Sequence, residues 1–211
     1  LVYGNVSLWN GSYGDYDYWF RNLDGTGIYN NTGAYSGRYG VKTIPASTET
    51  VTIQNVKFKN NLIAFPGQNA ARVCLITTST HLSGMDTDYN LYYEANSGPT
   101  IAVGGTNYWS TGTYKTAVAP KEASSIGADP KFTSTTNFRL LRGSPAINAG
   151  VNVCTAEGVP FATCTGDGTG YWYDKDNHKV PDAYNRIPIG SSAPGIGQHL
   201  MNIRPSRTIL Q

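Results

Sequence analysis

The sequence predicts an all-β solenoid, a parallel β-helix, from three observations. Charged residues form 14% of the 211-residue chain, below the roughly 25% of ordinary soluble domains, while 24 Gly and 15 Tyr favour short strands with tight turns over helices. One segment alternates apolar and polar residues and changes phase at an asparagine. That pattern then recurs along the chain, as expected when one structural unit is stacked repeatedly.

The phase change lies in residues 50–65, TVTIQNVKFKNNLIAF. Apolar residues alternate with polar ones up to Ile53, as in a half-buried strand, and resume one position out of phase at Val56 and Phe58. Asn55 lies at this change of phase, and asparagine tolerates the left-handed backbone conformation that a sharp corner requires. The segment therefore predicts a strand, a bend and a second strand that faces the same core.

Similar corners recur at irregular intervals. Asn60 and Asn61 mark a second one, residues 5–10 repeat the form of residues 55–60, and residues 90–93 are a looser copy. In a solenoid with loops of unequal length, such corners stack about 4.8 Å apart, so that their asparagines form side-chain ladders. A β-sandwich, which also has short strands and Gly or Asn turns, remains the alternative.

The chain divides into two parts of one domain. Residues 1–96 hold the clearest alternation and are predicted to form parallel β-helix coils. In residues 97–211, Gly, Pro, Thr and Ser dominate, which predicts further C-terminal coils and a loop-rich closing segment. The chain opens in strand-like sequence without a capping element, so we expect further β-helix coils or identical subunits at its N-terminal edge. On this view a leader has been removed or the chain is a piece of a longer protein.

Charge and cysteine usage narrow the functional classes. The formal net charge is +2 with no long basic run, which argues against nucleic-acid binding, and no apolar run reaches the roughly 20 residues of a membrane span. Cys154 and Cys164 bracket a short polar segment that a disulfide would close; two unrelated thiols are the alternative. A disulfide would place the protein outside the cytosol. Cys74, in an apolar run, is interpreted as a buried small hydrophobe.

Several short motifs follow one another between about residues 50 and 200. In order they are KNN at 59–61, DYNLYY at 88–93, DPKF at 129–132, LLRGSPAINAG at 140–150, and then Asp182, Arg186 and PGIG at 194–197. This order resembles the C-terminal segment of bacterial extracellular right-handed parallel β-helix proteins, which include polysaccharide lyases and related hydrolases. The resemblance implies a right-handed β-helix, an extracellular or cell-surface location and a polysaccharide-related role.

The chain also departs from the pattern of that family. Gly195 stands where an Asp is usual, Gln198 and His199 replace a small-aromatic ending, and the insert at 151–179 is long. The motif residues are expected to be structural. Asp182 and Arg186 would form an ion pair that holds the closing loop, while Asn55, Asn60 and Asn61 would shape the corners.

Candidate chemistry concentrates in residues 13–24, YGDYDYWFRNLD. Asp15 and Asp17 are the candidate catalytic acid and base, or ligands of a possible calcium ion, and Arg21 would pair with a uronate carboxylate. The candidate carbohydrate-binding residues are Tyr13, Tyr16, Tyr18, Trp19 and Arg38, with Lys42 as a further candidate. The alternative is an exposed strand whose aromatic rings pack on a neighbour.

Other motifs receive structural interpretations. Asp86 and Asp88 have a spacing that can share a cation but are interpreted as caps of the turn before Tyr89. Residues 174–177 lack the glycine of a calcium loop and are interpreted as a solvated turn. The three histidines have no zinc spacing and are interpreted as surface residues, so no metal site is predicted.

Two functional hypotheses remain. In the first, the chain is the C-terminal part of a carbohydrate-active enzyme, a polysaccharide lyase or a glycoside hydrolase. In the second, it is a non-catalytic structural or adhesive β-helix subunit of a surface layer, filament or phage spike. The resemblance favours the first, whereas the low charge and the Tyr-rich and Thr-rich composition favour the second.

Overall fold

A computed structural model describes residues 2–3, 6–8, 16–44, 50–65, 73–95, 100–132, 134–135, 140–141, 143–147, 149–151 and 153–158. Within these ranges the chain is β-rich, as predicted, with strands of two to five residues. The strands are β1 (Val2–Tyr3), β2 (Val6–Leu8), β3 (Tyr16–Trp19), β4 (Leu23–Asp24), β5 (Gly27–Tyr29), β6 (Thr32–Ala34), β7 (Tyr39–Lys42), β8 (Ile53–Gln54), β9 (Val56–Lys59), β10 (Leu62–Ala64), β11 (Val73–Thr77), β12 (Met85–Asp88), β13 (Leu91–Tyr93), β14 (Ile101–Val103) and β15 (Thr106–Tyr108). The helices are α1 (Ser79–Ser83), α2 (Thr111–Val118) and α3 (Val153–Ala156).

The strands form three larger sheets and one pair. Sheet A has the order β1-β5-β9-β12, sheet B β2-β6-β10-β13 and sheet C β3-β7-β11-β14-β15, while β4 pairs with β8. Every neighbouring pair is parallel except β14 with β15, which is antiparallel. In sheet A, Ile28 is paired with Phe58, and Phe58 with Thr87. Successive strands of the chain thus pass from one sheet to the next before returning.

The predicted corners at Asn55 and Asn60 are confirmed, whereas those at Asn5 and Asn10 lie outside the described residues. Asn55 and Asn60 have φ angles of 53° and 60°, in the left-handed region. The side chain of Asn55 donates a hydrogen bond to Asp24 Oδ1 at 2.8 Å. Ile53, Val56 and Phe58 lie in one buried cluster, so the phase slip does keep the apolar residues on the same core.

Asparagines at one set of corners form the predicted ladder. The Asn31 side chain donates to Asn61 Oδ1 at 2.9 Å, and the Asn61 side chain donates to Asn90 Oδ1 at 3.2 Å. The backbone N–H groups of Asn31 and Asn61 donate to the same oxygens. The ladder ends where Asn90 N–H donates to Ser125 Oγ at 2.8 Å. All three asparagines are buried, so their amides need these partners.

Sheets A, B and C enclose the main apolar cluster, which contains Phe58, Leu75, Tyr92 and Ile101. Cys74 belongs to it and is fully buried, which confirms its interpretation as a core residue. The cluster contains fifteen buried side chains. Each Å² of apolar surface that they remove from water stabilises the fold by about 25 cal/mol.

Several of the described residues after β14 pack against the sheets. Tyr114 of α2 is buried in the main cluster, and Ile126 forms a parallel bridge with Leu91. Ala146 of the SPAINAG motif is buried against Leu62 and Leu91 of sheet B, which agrees with the structural role expected of this motif. Among the described residues, no helix has the length and apolar content needed to cross a bilayer.

Some predictions lie outside the described residues. These are the positions of Tyr13, Asp15, Asp182, Arg186 and Cys164, and therefore the ion pair of the closing loop and the disulfide. Cys154 is part of α3, but its side chain is not among those described.

Candidate functional site

The side of sheet C that faces away from the core brings together most of the described candidate residues. In one row, Tyr16 is paired with Tyr39 and Tyr39 with Val73. In a second row, Trp19 pairs with Lys42, Lys42 with Ile76 and Ile76 with Ala102. We call this set of seven residues the aromatic–basic face. Five of its members, Tyr16, Tyr39, Val73, Ile76 and Ala102, form an apolar cluster of their own, separate from the core.

The two rows are separated by a pair of consecutive inward-facing residues on each strand. Cys74 and Leu75 both lie in the main cluster. At the corresponding place in β7, a Cβ on Gly40 would lie 2.0 Å from Ile63 Cγ2 and 2.7 Å from the carbonyl oxygen of Cys74. Only glycine fits there, and it allows Tyr39 and Lys42 to share the outer side of one short strand.

Three cationic side chains lie over aromatic rings on this face. Lys42 Nζ is 4.7 Å from the ring centroid of Trp19 and 5.4 Å from that of Tyr16. Arg21 Cζ is also 4.7 Å from the Trp19 centroid. These distances are within the range of cation–π attraction. The Tyr16 and Trp19 rings are 5.0 Å apart, and Trp19 Nε1 donates to the carbonyl of Ile44 at 3.2 Å, which holds the indole in place.

Arg38 immediately precedes β7, and its guanidinium carbon is 4.9 Å from the Tyr39 ring centroid. Within the described part of the chain, neither Arg38 nor Lys42 forms an ion pair. Both charges are thus held by rings and not by carboxylates. A ring stabilises a cation without neutralising it, so the face keeps a positive potential toward solvent.

Two predicted site residues, Asp17 and Tyr18, do not lie on the aromatic–basic face. Tyr18 packs against the core, its ring stacks with Phe20 at 6.0 Å, and its hydroxyl donates to the Thr32 carbonyl at 2.9 Å. Asp17 lies beside β6, because a Cβ on Gly33 would be 2.9 Å from Asp17 Oδ2. The structure therefore brings Tyr16, Trp19 and Arg21 together, with Arg38 over the nearby Tyr39 ring, and separates them from Tyr18.

The acidic residues considered as cation ligands have other partners. Asp88 Oδ1 accepts hydrogen bonds from the N–H groups of Tyr89 and Ser124, at 2.8 and 2.7 Å, so it does cap the turn. Asp86 Oδ2 is 2.8 Å from Lys59 Nζ. The described residues contain no group of three or more His, Cys, Asp or Glu side chains that could hold a metal ion.

His81 is a buried residue, which corrects its interpretation as a surface histidine. Its ring nitrogens lie 3.3 Å from Thr43 Oγ1 and 2.9 Å from the Val51 carbonyl. The segments that follow β7 and precede β8 contact its ring, and no local pattern in the sequence marks these tertiary contacts. His81 therefore joins α1 to the neighbouring segments as a structural residue.

Glu122 is a buried carboxyl group that the sequence did not single out. It accepts hydrogen bonds from the hydroxyls of Thr87, Ser125 and Tyr92, and from the amide of Asn90 at 3.3 Å. Burial raises its pKa, and the four hydrogen bonds only partly offset that effect. Because Ser125 and Asn90 also end the asparagine ladder, Glu122 completes the polar network there.

Comparisons with known proteins give no relative from which a function could be transferred. No protein-family model, curated protein or solved structure matches this chain.

Proposed function

We propose that this chain is a right-handed parallel β-helix whose aromatic–basic face binds polysaccharide, with a preference for acidic glycans. Three sheets of short parallel strands, visited in turn, support the solenoid. The right hand follows from the general handedness of parallel crossover connections. The resemblance of the SPAINAG-containing segment to extracellular β-helix proteins supports a location at or outside the cell surface.

The observation that carries the binding proposal is the arrangement around Trp19. Two cationic groups lie 4.7 Å from its centroid, and Lys42 has no carboxylate partner in the described part of the chain. The Arg38 guanidinium, held over the neighbouring Tyr39 ring, can form two parallel hydrogen bonds with the carboxylate of a uronate. The Tyr16 and Trp19 rings offer apolar surface beside it for the C–H faces of sugars. Residues aligned in rows across several strands suit an extended, repetitive ligand.

In a stronger form of this proposal, the chain also cleaves the glycan that it binds. This form keeps the roles predicted from the sequence, acid and base for Asp15 and Asp17 and substrate carboxylate binding for Arg21, although Asp17 lies beside β6 and not on the aromatic–basic face. Replacing each Asp with Asn tests it: a fall in product formation on an acidic glycan without loss of binding supports an enzyme. Binding without turnover by the wild-type chain supports the alternative, a non-catalytic adhesive β-helix subunit.

The binding proposal is tested by titrating the chain with polygalacturonate and with a neutral β-glucan, using calorimetry. Lys42→Gln should weaken polygalacturonate binding roughly 5- to 10-fold, which corresponds to about 1–1.4 kcal/mol, and should leave any β-glucan binding unchanged. Trp19→Ala should weaken both, because it removes the ring and releases both cations.

Lys131→Gln is the matched control, because it removes one exposed lysine elsewhere and should leave both affinities unchanged. Wild-type affinity in both Lys42→Gln and Trp19→Ala would show that glycans bind at another place. No binding of either glycan by the wild-type chain would contradict the proposal itself.

A further inference from the structure

A second basic site lies on sheet A, where the chain covers it with its own carboxylate. Lys57 and Lys59 alternate with the buried Val56 and Phe58, so both lysines point away from the core. Their ammonium groups both contact the carboxylate of Glu157: Lys57 contacts Oε2, and Lys59 Nζ lies 2.5 Å from Oε1. The Glu157 side chain is 3% exposed and that of Lys59 is 12% exposed, whereas the Lys57 side chain is 44% exposed, so the carboxylate is shielded from solvent while one of its two lysines is not.

Asp86 provides the second negative charge at this site. Its Oδ2 is 2.8 Å from Lys59 Nζ and 4.0 Å from Lys57 Nζ, but its side chain is 54% exposed. Two ammonium groups thus face two carboxylates. The buried carboxylate is supplied by a segment about a hundred residues further along the chain, and the exposed one by the neighbouring strand of the same sheet.

A second anchor holds the same segment next to the lysines. The Asn60 side chain donates to the Val151 carbonyl at 2.7 Å and accepts from the Val151 N–H at 2.9 Å. Asn60 follows Lys59 directly, so the corner and the lysines form one continuous contact surface. Val153, between the two anchors, is buried. We call residues 149–151 and 153–158 the clasp.

We infer that the clasp is a reversible cover and that Lys57, Lys59 and Asn60 form a binding site for an extended segment carrying a carboxylate, occupied in this state by Glu157. The site recognises a backbone N–H and C=O through Asn60 and a carboxylate through the lysine pair. Both contacts are general features of peptide segments, so a segment of the same chemistry from another chain can compete for it. Opening the clasp leaves two lysines with one exposed carboxylate, which makes sheet A a second basic face.

The closure of the clasp is tested by hydrogen exchange of the Glu157→Gln variant. Glu157 N–H, which donates to Val153, and Val151 N–H, which donates to Asn60, report on the clasp. Both should exchange at least tenfold faster in Glu157→Gln, whereas Leu62 N–H, which donates to Asn31 within the sheets, should be unchanged. Asp86→Asn is the matched control and should have a smaller effect, because Asp86 is half exposed and Glu157 stays in place.

The site itself is tested with a peptide of residues 149–158 and a second peptide with Gln at the position of Glu157, measured by fluorescence anisotropy under reducing conditions. The Glu157→Gln protein should bind the first peptide at least tenfold more tightly than the second. The wild-type protein, whose own Glu157 competes, should bind the first peptide at least tenfold more weakly than the variant does.

Unchanged exchange at Val151 and Glu157 in a folded Glu157→Gln protein would overturn the inference, as would equal affinities for the two peptides. Faster exchange throughout the protein, including Leu62, would show that Glu157 stabilises the whole fold and does not close a separable cover. Circular dichroism of each variant confirms that the strands are retained.

Discussion

The outer sides of sheets A and C both present lysines at strand positions that alternate with core residues, yet the two faces treat the charges differently. On sheet A, Lys57 and Lys59 are bridged by the buried carboxylate of Glu157. On sheet C, Lys42 lies over two aromatic rings and has no carboxylate partner in the described part of the chain. Identical strand chemistry therefore produces a neutralised, covered face in one case and a charged face in the other, depending on the neighbours supplied by the fold.

The comparison leads to a matched pair of substitutions with the largest expected difference. Lys59→Ala should lower the free energy of unfolding by roughly 2–3 kcal/mol, because it leaves the buried Glu157 carboxylate with one lysine in place of two. Lys42→Ala should lower it by less than about 1 kcal/mol, since a partly exposed cation–π contact is weak. Urea unfolding of both variants measures the difference. Equal losses would show that sheet A does not depend on its carboxylate bridge.

A second prediction contrasts two buried carboxylates. Glu157 lies between lysines, whereas Glu122 is surrounded by hydroxyl and amide donors, and burial raises its pKa above the ordinary 4.5. The protonated form is thus favoured in the folded state. The stability that this pKa shift contributes is fully present below about pH 4.5 and is lost as the pH rises through the folded pKa. The free energy of unfolding falls by about 1.4 kcal/mol for each unit of the shift.

Glu122→Gln should remove this loss of stability. Relative to the wild type, the variant should become more stable step by step between pH 4 and pH 7, whatever its stability at pH 4. Melting temperatures measured at unit intervals of pH give the two curves. Curves that stay parallel would mean that Glu122 has the same pKa in the folded and unfolded states.

The smallest expected effects concern two buried tyrosines near Glu122. The Tyr92 hydroxyl donates to Glu122 at 2.8 Å, whereas the buried Tyr114 hydroxyl has no hydrogen-bond partner in the described part of the structure. Tyr92→Phe should lower the free energy of unfolding by about 1–2 kcal/mol. Tyr114→Phe should lower it by no more than about 0.5 kcal/mol. Thermal unfolding at one pH is sufficient. A larger cost for Tyr114→Phe would reveal a partner for that hydroxyl.

Sequence reasoning was most successful where a property depends on neighbouring residues. The corner at Asn55 and the return of Val56 and Phe58 to the core follow from a two-residue period and from the tolerance of asparagine for positive φ. The same reasoning placed Tyr16 and Trp19 among the binding candidates, and the structure puts both on the aromatic–basic face. Sequence reasoning also grouped Tyr18 with these two residues. In the structure two consecutive residues of β3 face inward, and the Tyr18 ring therefore packs against the core.

Residues missed by sequence reasoning depend on pairing between distant strands. Tyr39 joins the aromatic–basic face because it is paired with Tyr16. Glu122 is notable because three donors from β12, β13 and the turn between them converge on it, together with the nearby Ser125 hydroxyl. No local signal marks either residue, since the strand register and the path of the chain after α2 decide both contacts.

The sequence by itself determined the β-rich character, the alternation of buried and outward residues and the asparagine corners, because these depend on backbone sterics and on a period of two residues. The tertiary structure decided which outward lysines are neutralised. Lys57 and Glu157 are about a hundred positions apart, and only the folded chain brings their charges into contact. Coulomb attraction depends on distance in space and on burial. The lysines of sheet A are therefore paired with a buried carboxylate, whereas Lys42 on sheet C keeps its charge without such a partner in the described part of the chain.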